Sequence, residues 1–328
     1  MHDNPDPDAI ASGWAIEVLV QEKLQKPVRV VGGGAIVRAE NRHMVELLQP
    51  PIELVEQIDI GPETATILVD CGAEATNHLL TRNGIKPVAI IDHHISAVER
   101  AEIPFNDVRP NVAASATITA SYLREQGLDP GVKLATALLY AIRTETCGYE
   151  THYSDLDRSI LPWLTEIGEP ALLAEIANAP LTQDYFADLL LALQSTYLYS
   201  GTALCYLPQA GGAEIVGEVA DMLIRCDKIH RVLCAAVIGN DLLISARTQR
   251  DYGSAVQLLR TTLTGLGGAG GHAHRAGGKI SEIGQTTHKD ALLKDLRARW
   301  LSACDVAQTT GTRLIGKQEI VENLDRLE

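Results

Sequence analysis

PVAIIDHH, residues 87–94, is a short apolar run that closes on one aspartate and two histidines. An uninterrupted apolar stretch of this length fits a strand buried on both faces. Residues 65–72, ATILVDCG, repeat the arrangement: another apolar run, another terminal aspartate, then a turn. VRVVG at 28–32 is a third strand candidate, and VVGGG after it reads as a tight turn. Residues 9–25, 38–48 and 74–83 lie between and around these runs and carry helical patterns. Strands alternating with helices predict βαβ units, hence an α/β fold with a doubly wound, mostly parallel sheet.

After Asp107 the pattern turns mostly helical, through ASATITASYLREQG, VKLATALLYAIRT and SDLDRSILPWLTEIG. Residues 184–199 read as one further helix. A smaller α/β unit follows, with strands ALCYLP, VLCAAVIG and DLLISART, helices at 215–225 and 255–263, the loop GLGGAGGHAHRAGG and the charged helix KDALLKDLRARWL. The expected division is a domain over 1–183, a connecting helix over 184–202 and a second domain over 203–328.

With 28 basic and 42 acidic residues in 328, the chain carries a net charge of −14. That charge is uneven: residues 1–200 hold net −15 and residues 201–328 net +1. Few aromatic residues and an acidic balance argue against a general nucleic-acid coat, which needs basic grooves and stacking platforms. Apolar runs fall short of a membrane span, and the N-terminus lacks a basic-then-apolar signal. Six scattered cysteines without a C-x-x-C pair exclude a zinc knuckle and fit a reducing, cytoplasmic setting.

Chemistry gathers in four strings. In HDNPDPDA, residues 2–9, His2, Asp6 and Asp8 fall within seven residues, with Pro5 and Pro7 stiffening the segment between them. Asp8 is also placed to cap the helix that begins at Ala9. Asp70 ends one strand, and Asp92, His93 and His94 end another. In an open parallel sheet both ends face the edge where ligands bind. Carboxylate and imidazole without thiolate point to Mn²⁺ or Mg²⁺ rather than structural zinc. In the second domain, GGAGGHAHRAGG can form a backbone nest for an anion around Gly270 and Gly271, with His272, Arg275 and Arg247 as charged donors. It is neither a P-loop nor, in VVGGG, a dinucleotide fingerprint.

HDNPDPDA, VDCG, IDHH and GGHAHRAGG, in this order, resemble the motifs of the DHH-family phosphoesterases, in the RecJ-like and nanoRNase-like branch. The resemblance implies two α/β domains facing across a cleft, with two divalent cations on the larger one, Mn²⁺ ahead of Mg²⁺. It implies that His2, Asp6 and Asp70 hold one metal, that Asp8, Asp70 and His93 hold the other, and that His94 faces the phosphate. The family's T-D-T-G string is matched by RTETCGY, which puts Glu145 where an aspartate is expected. Asp155 and Asp157 lie on a helical pattern and read as solvated. The family also places a strand before the first motif; with Met1 directly ahead of His2, the resemblance implies a trimmed chain, a start set late, or a sheet without that edge.

The expected activity is two-metal hydrolysis of phosphodiester bonds in short oligonucleotides or small nucleotides, with Asp70, His93 and His94 at the reacting centre. A near-neutral second domain offers few phosphate contacts, which predicts short substrates and no long-duplex binding. The alternatives are hydrolysis of a 3′-phosphoadenosine 5′-phosphate-type monoester or of polyphosphate, and a non-catalytic nucleotide-binding protein with a degraded metal site.

Overall fold

The structure, a computed structural model, describes residues 1–316 apart from 62, 95–102, 147–152, 209, 211, 272 and 284–285, with the backbone alone at 286–288. It divides into two compact units, Met1–Pro180 and Leu181–Glu328.

The first unit runs α1 (Pro7–Leu24), β1 (Val30–Gly32), α2 (Ala39–Leu48), β2 (Ile52–Leu54), β3 (Ile67–Val69), α3 (Leu79–Arg82), β4 (Ala89–Asp92), β5 (Phe105–Val108), α4 (Ser115–Glu125), α5 (Gly131–Thr146), α6 (Asp155–Ile167) and α7 (Pro170–Ala177). Pairing is parallel throughout: β1 with β2, and β3 with β4 with β5. The parallel strands thus fall into a two-stranded and a three-stranded sheet. Val69 pairs with Ile91, so Asp70 and Asp92 emerge side by side at the carboxyl edge.

Helix α1 starts on Pro at its first position and is buried over nearly all of its first half, from Pro7 to Ile16. With α4 and α5 it forms the main core around Ile10, Ile118, Leu123, Leu134, Leu138 and Ile142. Truncating any of these to Ala would cost about 2–5 kcal/mol, since close-packed interiors relax only partly around a cavity. Helix α3 is shorter than the 74–83 pattern predicts. His2 bridges to His78 in strand fashion, and Asp3 donates its amide to Asn77 O at 2.6 Å, which draws residues 77–78 out of the helix.

The second unit contains α8 (Gln183–Ser195), β6 (Thr196–Tyr199), β7 (Thr202–Leu207), α9 (Glu214–Leu223), β8 (Arg231–Ile238), β9 (Asp241–Thr248), α10 (Ala255–Leu263), β10 (Gly268–Gly271), β11 (Arg275–Ile280), α11 (Thr286–Ala303) and β12 (Thr312–Arg313). Its strand order is β10-β11-β9-β8-β7-β6-β12, antiparallel except for β7 beside β8. Both faces of β8 are covered. Leu233, Ala235 and Val237 pack toward α10 and α11, while Val232, Cys234 and Ala236 join the core with α9. Hence VLCAAVI reads as a continuous apolar run.

Two expectations are corrected here. The helix expected over 184–199 stops at Ser195, and the β-branched and aromatic TYLY run pairs with β7 instead. The glycine-rich loop is largely a hairpin, with Gly270 opposite Gly277 and Gly271 opposite Ala276. Among the described residues no helix is long and apolar enough to cross a membrane.

Candidate metal centre

The opening loop reaches the sheet edge because two glycines let it approach. Asn4, itself at φ +52°, donates its amide to Gly33 O at 2.9 Å, and its side-chain oxygen accepts the Ala35 amide at 2.9 Å. Gly34 has φ +72°, and a Cβ there would stand 2.3 Å from Asn4 Oδ1. Arg82 clamps the loop from the other side with a two-pronged ion pair to Asp3.

Thus braced, His2 lies with Nε2 3.8 Å from Asp6 Oδ1 and 3.5 Å from Asp70 Oδ2. Asp6 caps α1 by accepting the Ala9 amide at 3.0 Å, a role expected of Asp8. Asp8 lies inside the first turn and faces the other way: its Oδ2 accepts the Ser115 amide at 2.8 Å and its Oδ1 the Ala116 amide at 2.6 Å. Ala114, the N-cap of α4, offers no side-chain cap, so Asp8 supplies the acceptor for that helix from 107 residues away.

Asp70 is buried, at φ +59°, and accepts the Ser115 hydroxyl at 2.9 Å. Aspartate is one of the few residues that tolerates this left-handed backbone. His93 Nε2 stands 3.6 Å from Asp8 Oδ2 and 3.7 Å from Asp70 Oδ1. Its Nδ1 lies 3.3 Å from Val112 O; a carbonyl only accepts, so this contact puts a proton on Nδ1 and leaves Nε2 as the ring atom that faces the carboxylates. Asp92 holds the neighbouring turn, with Oδ1 accepting the His93 and His94 amides at 2.8 and 3.2 Å and meeting His94 Nδ1 at 2.8 Å.

The electrostatics follow from burial set against neighbours. Burial opposes the His2 imidazolium, yet Asp6 and Asp70 outweigh it and raise its pKa well above the ordinary value. Burial would likewise raise Asp6, but His2 and the Ala9 amide hold it below the usual carboxylate range. Asp8 goes the opposite way: burial, and then the charges of Asp70, Asp6 and Glu145, push it well upward. His94 is raised to about 9 against its burial, chiefly by Asp92.

Asp70, His93 and His94 form one group whose ligand atoms lie within 4.8 Å of one another, and His2, Asp6 and Asp70 form a second. The two share Asp70. Neither includes Asp8, whose oxygens are turned to the α4 amides, or Glu145, half-buried in the last turn of α5. The donor chemistry fits a hard divalent cation: carboxylates crowded enough to raise Asp8, imidazoles from His2, His93 and His94, and, among the described residues, no thiolate in either group. Cys71, next to Asp70, is buried, and that burial pushes its thiol far up.

Three residues that carry this geometry are absent from the expected site: Ser115, Asp92 and Asp157. Asp92 is visible in IDHH, whereas Ser115 meets Asp8 and Asp70 only through the fold. Asp157 corrects the expectation of a solvated helix face. It is fully buried and accepts the Ala113 amide, although Asp155 is exposed as expected. A carboxylate at the third helical position is ordinarily a solvent-facing cap partner, but here α6 packs that face against α4 and α5.

In the second unit Arg247 is buried. Its Nε donates to Asp221 Oδ1 at 2.5 Å, and Nη1 to Ser245 Oγ at 2.6 Å and Ala246 O at 2.9 Å. Arg275 is half-buried and paired in register with Arg247. Gly270 and Gly271 lie in edge strand β10, and His272 lies outside the described residues.

Residues 1–142 match the family model for the DHH family, N-terminal domain. The chain is similar to an uncharacterized protein of Methanocaldococcus jannaschii, 30% identical over 280 residues that cover 85% of this chain and 56% of that protein. It therefore spans little more than half the length of that curated relative. Its fold resembles the crystal structure of an exopolyphosphatase-related protein from Bacteroides fragilis, 15% identical, with a TM-score of 0.68 over 93% of this chain and 91% of that one. Its first 142 residues match the N-terminal domain of the DHH family, and among the described residues that stretch holds the strands and loops that assemble the centre around Asp70.

Proposed function

We propose that this chain is a metal-dependent phosphoesterase that hydrolyses phosphodiester bonds of short oligonucleotides or small nucleotides. The observation that carries the reading is the sharing of Asp70 between two donor groups at the carboxyl edge of parallel strands. Such an edge is where open α/β sheets bind ligands, and a shared carboxylate is how two cations are held close together.

In this reading His2, Asp6 and Asp70 would hold one divalent cation, and Asp70, Asp8 and His93 a second, with Glu145 approaching from α5. Bound cations of this kind polarise a phosphoryl oxygen and lower the pKa of an attacking water. The remaining work falls to the chain itself. Ser115 fixes the shared carboxylate by its hydroxyl, and Val112 fixes the tautomer of His93. His94, 38% exposed and anchored through Nδ1 to Asp92, presents its other ring edge as a donor to a phosphate oxygen. The second unit's GGHAHRAGG string, with Gly270, Gly271, His272 and Arg275, would bind a terminal phosphate, and its near-neutral charge favours a short substrate. Arg247 would support that hairpin from β9.

The test is turnover of a panel with Mn²⁺ and with Mg²⁺: dinucleotides, a 5-mer, a cyclic dinucleotide, 3′-phosphoadenosine 5′-phosphate and polyphosphate. Release of nucleoside monophosphates from the dinucleotide and 5-mer is the expected result. Hydrolysis of polyphosphate or the monoester alone would replace the substrate class. Manganese binding with no hydrolysis at all would leave a nucleotide-binding protein in its place.

A further inference from the structure

Asp157 is bonded more extensively than a helix cap requires. It occupies the third position of a capping box at the start of α6: its Oδ2 accepts the Ser154 amide at 2.8 Å and the Ser154 hydroxyl at 2.6 Å. Capping boxes sit at helix ends facing water, and Asp is not the usual partner there. Here Asp157 is wholly buried beside a half-buried Ser154, and its carboxylate also reaches across 44 residues to the Ala113 amide, at 3.1 Å from Oδ2 and 3.3 Å from Oδ1.

The Ala113 N–H and the Val112 C=O belong to one peptide unit, which is planar and has its two polar groups pointing in opposite directions. Asp157 therefore holds one side of a plate whose other side meets His93 Nδ1 at 3.3 Å. Rotating that plate would remove the acceptor that keeps the His93 proton on Nδ1. A carboxylate at the N–H end also polarises the peptide and strengthens its carbonyl as an acceptor. Within the next three residues the same segment supplies the Ser115 and Ala116 amides to Asp8 and the Ser115 hydroxyl to Asp70.

We infer that Asp157 is a positioning residue for the metal centre: acting through the Val112–Ala113 peptide, it fixes the His93 tautomer so that Nε2 is presented as a ligand. The inference rests on reading this site as a divalent-metal centre.

The experiment uses the full chain and two readouts. Long-range ¹H–¹⁵N spectra of the metal-free protein report the His93 tautomer, and Mn²⁺ titration followed by electron paramagnetic resonance reports affinity. Asp157→Asn keeps the size of the side chain but replaces one accepting oxygen with a donor. It is expected to turn a single Nδ1–H tautomer into a mixture and to weaken Mn²⁺ binding by about tenfold, the lower end of the range for outer-shell partners. Ser154→Ala removes the capping hydroxyl and leaves the Ala113 contact; it should lower the melting temperature and change neither readout. If Asp157→Asn does not fold, Asp157→Glu, which displaces the carboxylate by one methylene, is read in the same two ways. An unchanged His93 tautomer in a folded Asp157 variant overturns the inference, as does an equal loss of Mn²⁺ affinity in Ser154→Ala. If the unsubstituted chain binds no divalent cation, the metal reading fails by itself, and the tautomer spectra still decide whether Asp157 positions His93.

Discussion

In the first unit, Asp6, Asp8, Asp70 and Asp92 converge with His2, His93 and His94, and burial together with like charge drives Asp8 well above its ordinary pKa. In the second unit a buried charge of the other sign, Arg247, is met at 2.5 Å by Asp221 and by two further oxygens. One cluster holds excess negative charge that an added cation would neutralise; the other has its charge answered within the fold. Buried carboxylates repel unless they are protonated or ligated, and a buried guanidinium with a carboxylate partner is a finished structural element. In the proposed reading, the difference separates a cluster that takes a cation from a pair that stabilises the fold, although both contain strongly polar residues at strand ends.

The largest test of that contrast is Asp70→Asn, which suits the left-handed backbone and can keep the Ser115 bond. Without metal, relief of the Asp8 repulsion is offset by loss of the His2 partner, so the melting temperature should move by no more than a few degrees. Added Mn²⁺ should no longer raise it, and turnover should fall roughly 10²–10⁴-fold, the several kcal/mol that metal polarisation supplies. Retained Mn²⁺ stabilisation in this variant would break the comparison on its ligand-binding side.

Arg247→Met attacks the other side. Breaking a buried pair costs about 3–5 kcal/mol, and the 29% exposure of Asp221 lowers the expectation to about 2–3. Urea unfolding should register that loss while Mn²⁺ affinity stays unchanged. A variant of normal stability that has lost substrate binding would restore Arg247 to the phosphate site.

The hairpin gives a smaller, paired effect. At Gly271, with φ +132°, a Cβ would stand 2.4 Å from Arg275 O, whereas a Cβ at Gly270 meets nothing. Gly271→Ala should cost about 1–3 kcal/mol, and Gly270→Ala should stay within about 0.5 kcal/mol. Equal thermal shifts in the two variants would contradict this account of the turn.

The smallest effect sharpens the comparison inside the first unit, where Asp107 is paired much as Arg247 is. Its carboxylate accepts from Arg109 at 2.6 and 2.7 Å and from the Tyr122 hydroxyl. Burial would raise Asp107, but these bonds hold it below the usual range, so its contribution is present above about pH 4 and lost as pH falls through the lowered value. Tyr122 is raised by burial and by Asp107, so its share is present below about pH 10 and lost at higher pH. Tyr122→Phe should cost about 1 kcal/mol at neutral pH and flatten both limbs of the stability profile. A parallel profile displaced downward at every pH would assign the loss to packing.

Much of the first unit was legible because its strands end in the residues that do the chemistry. ILVD and AIID announce both a buried strand and what lies beyond it, and parallel pairing then forces Asp70 and Asp92 together. Ser115 and Asp157 were not legible: their partners lie 44 to 107 residues away, and no local pattern distinguishes a buried cap from a solvated one. Likewise Arg247 reads as a clamp until the fold brings Asp221 to it from α9. β10 was hidden by its composition, since four residues of glycine and alanine carry no apolar alternation.

The capping of α4 by Asp8 also bears on the order in which the molecule forms. Two amides at 115 and 116 receive a carboxylate from residue 8, so the bond closes a loop of more than a hundred residues. Contacts of such separation demand a large loss of chain entropy before they return any energy, and they complete late. During synthesis the loop that carries Asp8 leaves the ribosome ahead of α4 and must wait for that helix before Asp8 finds its acceptors. In the proposed reading, competence to bind a cation is acquired at the end of folding of the first unit, and metal uptake reports that the unit is complete.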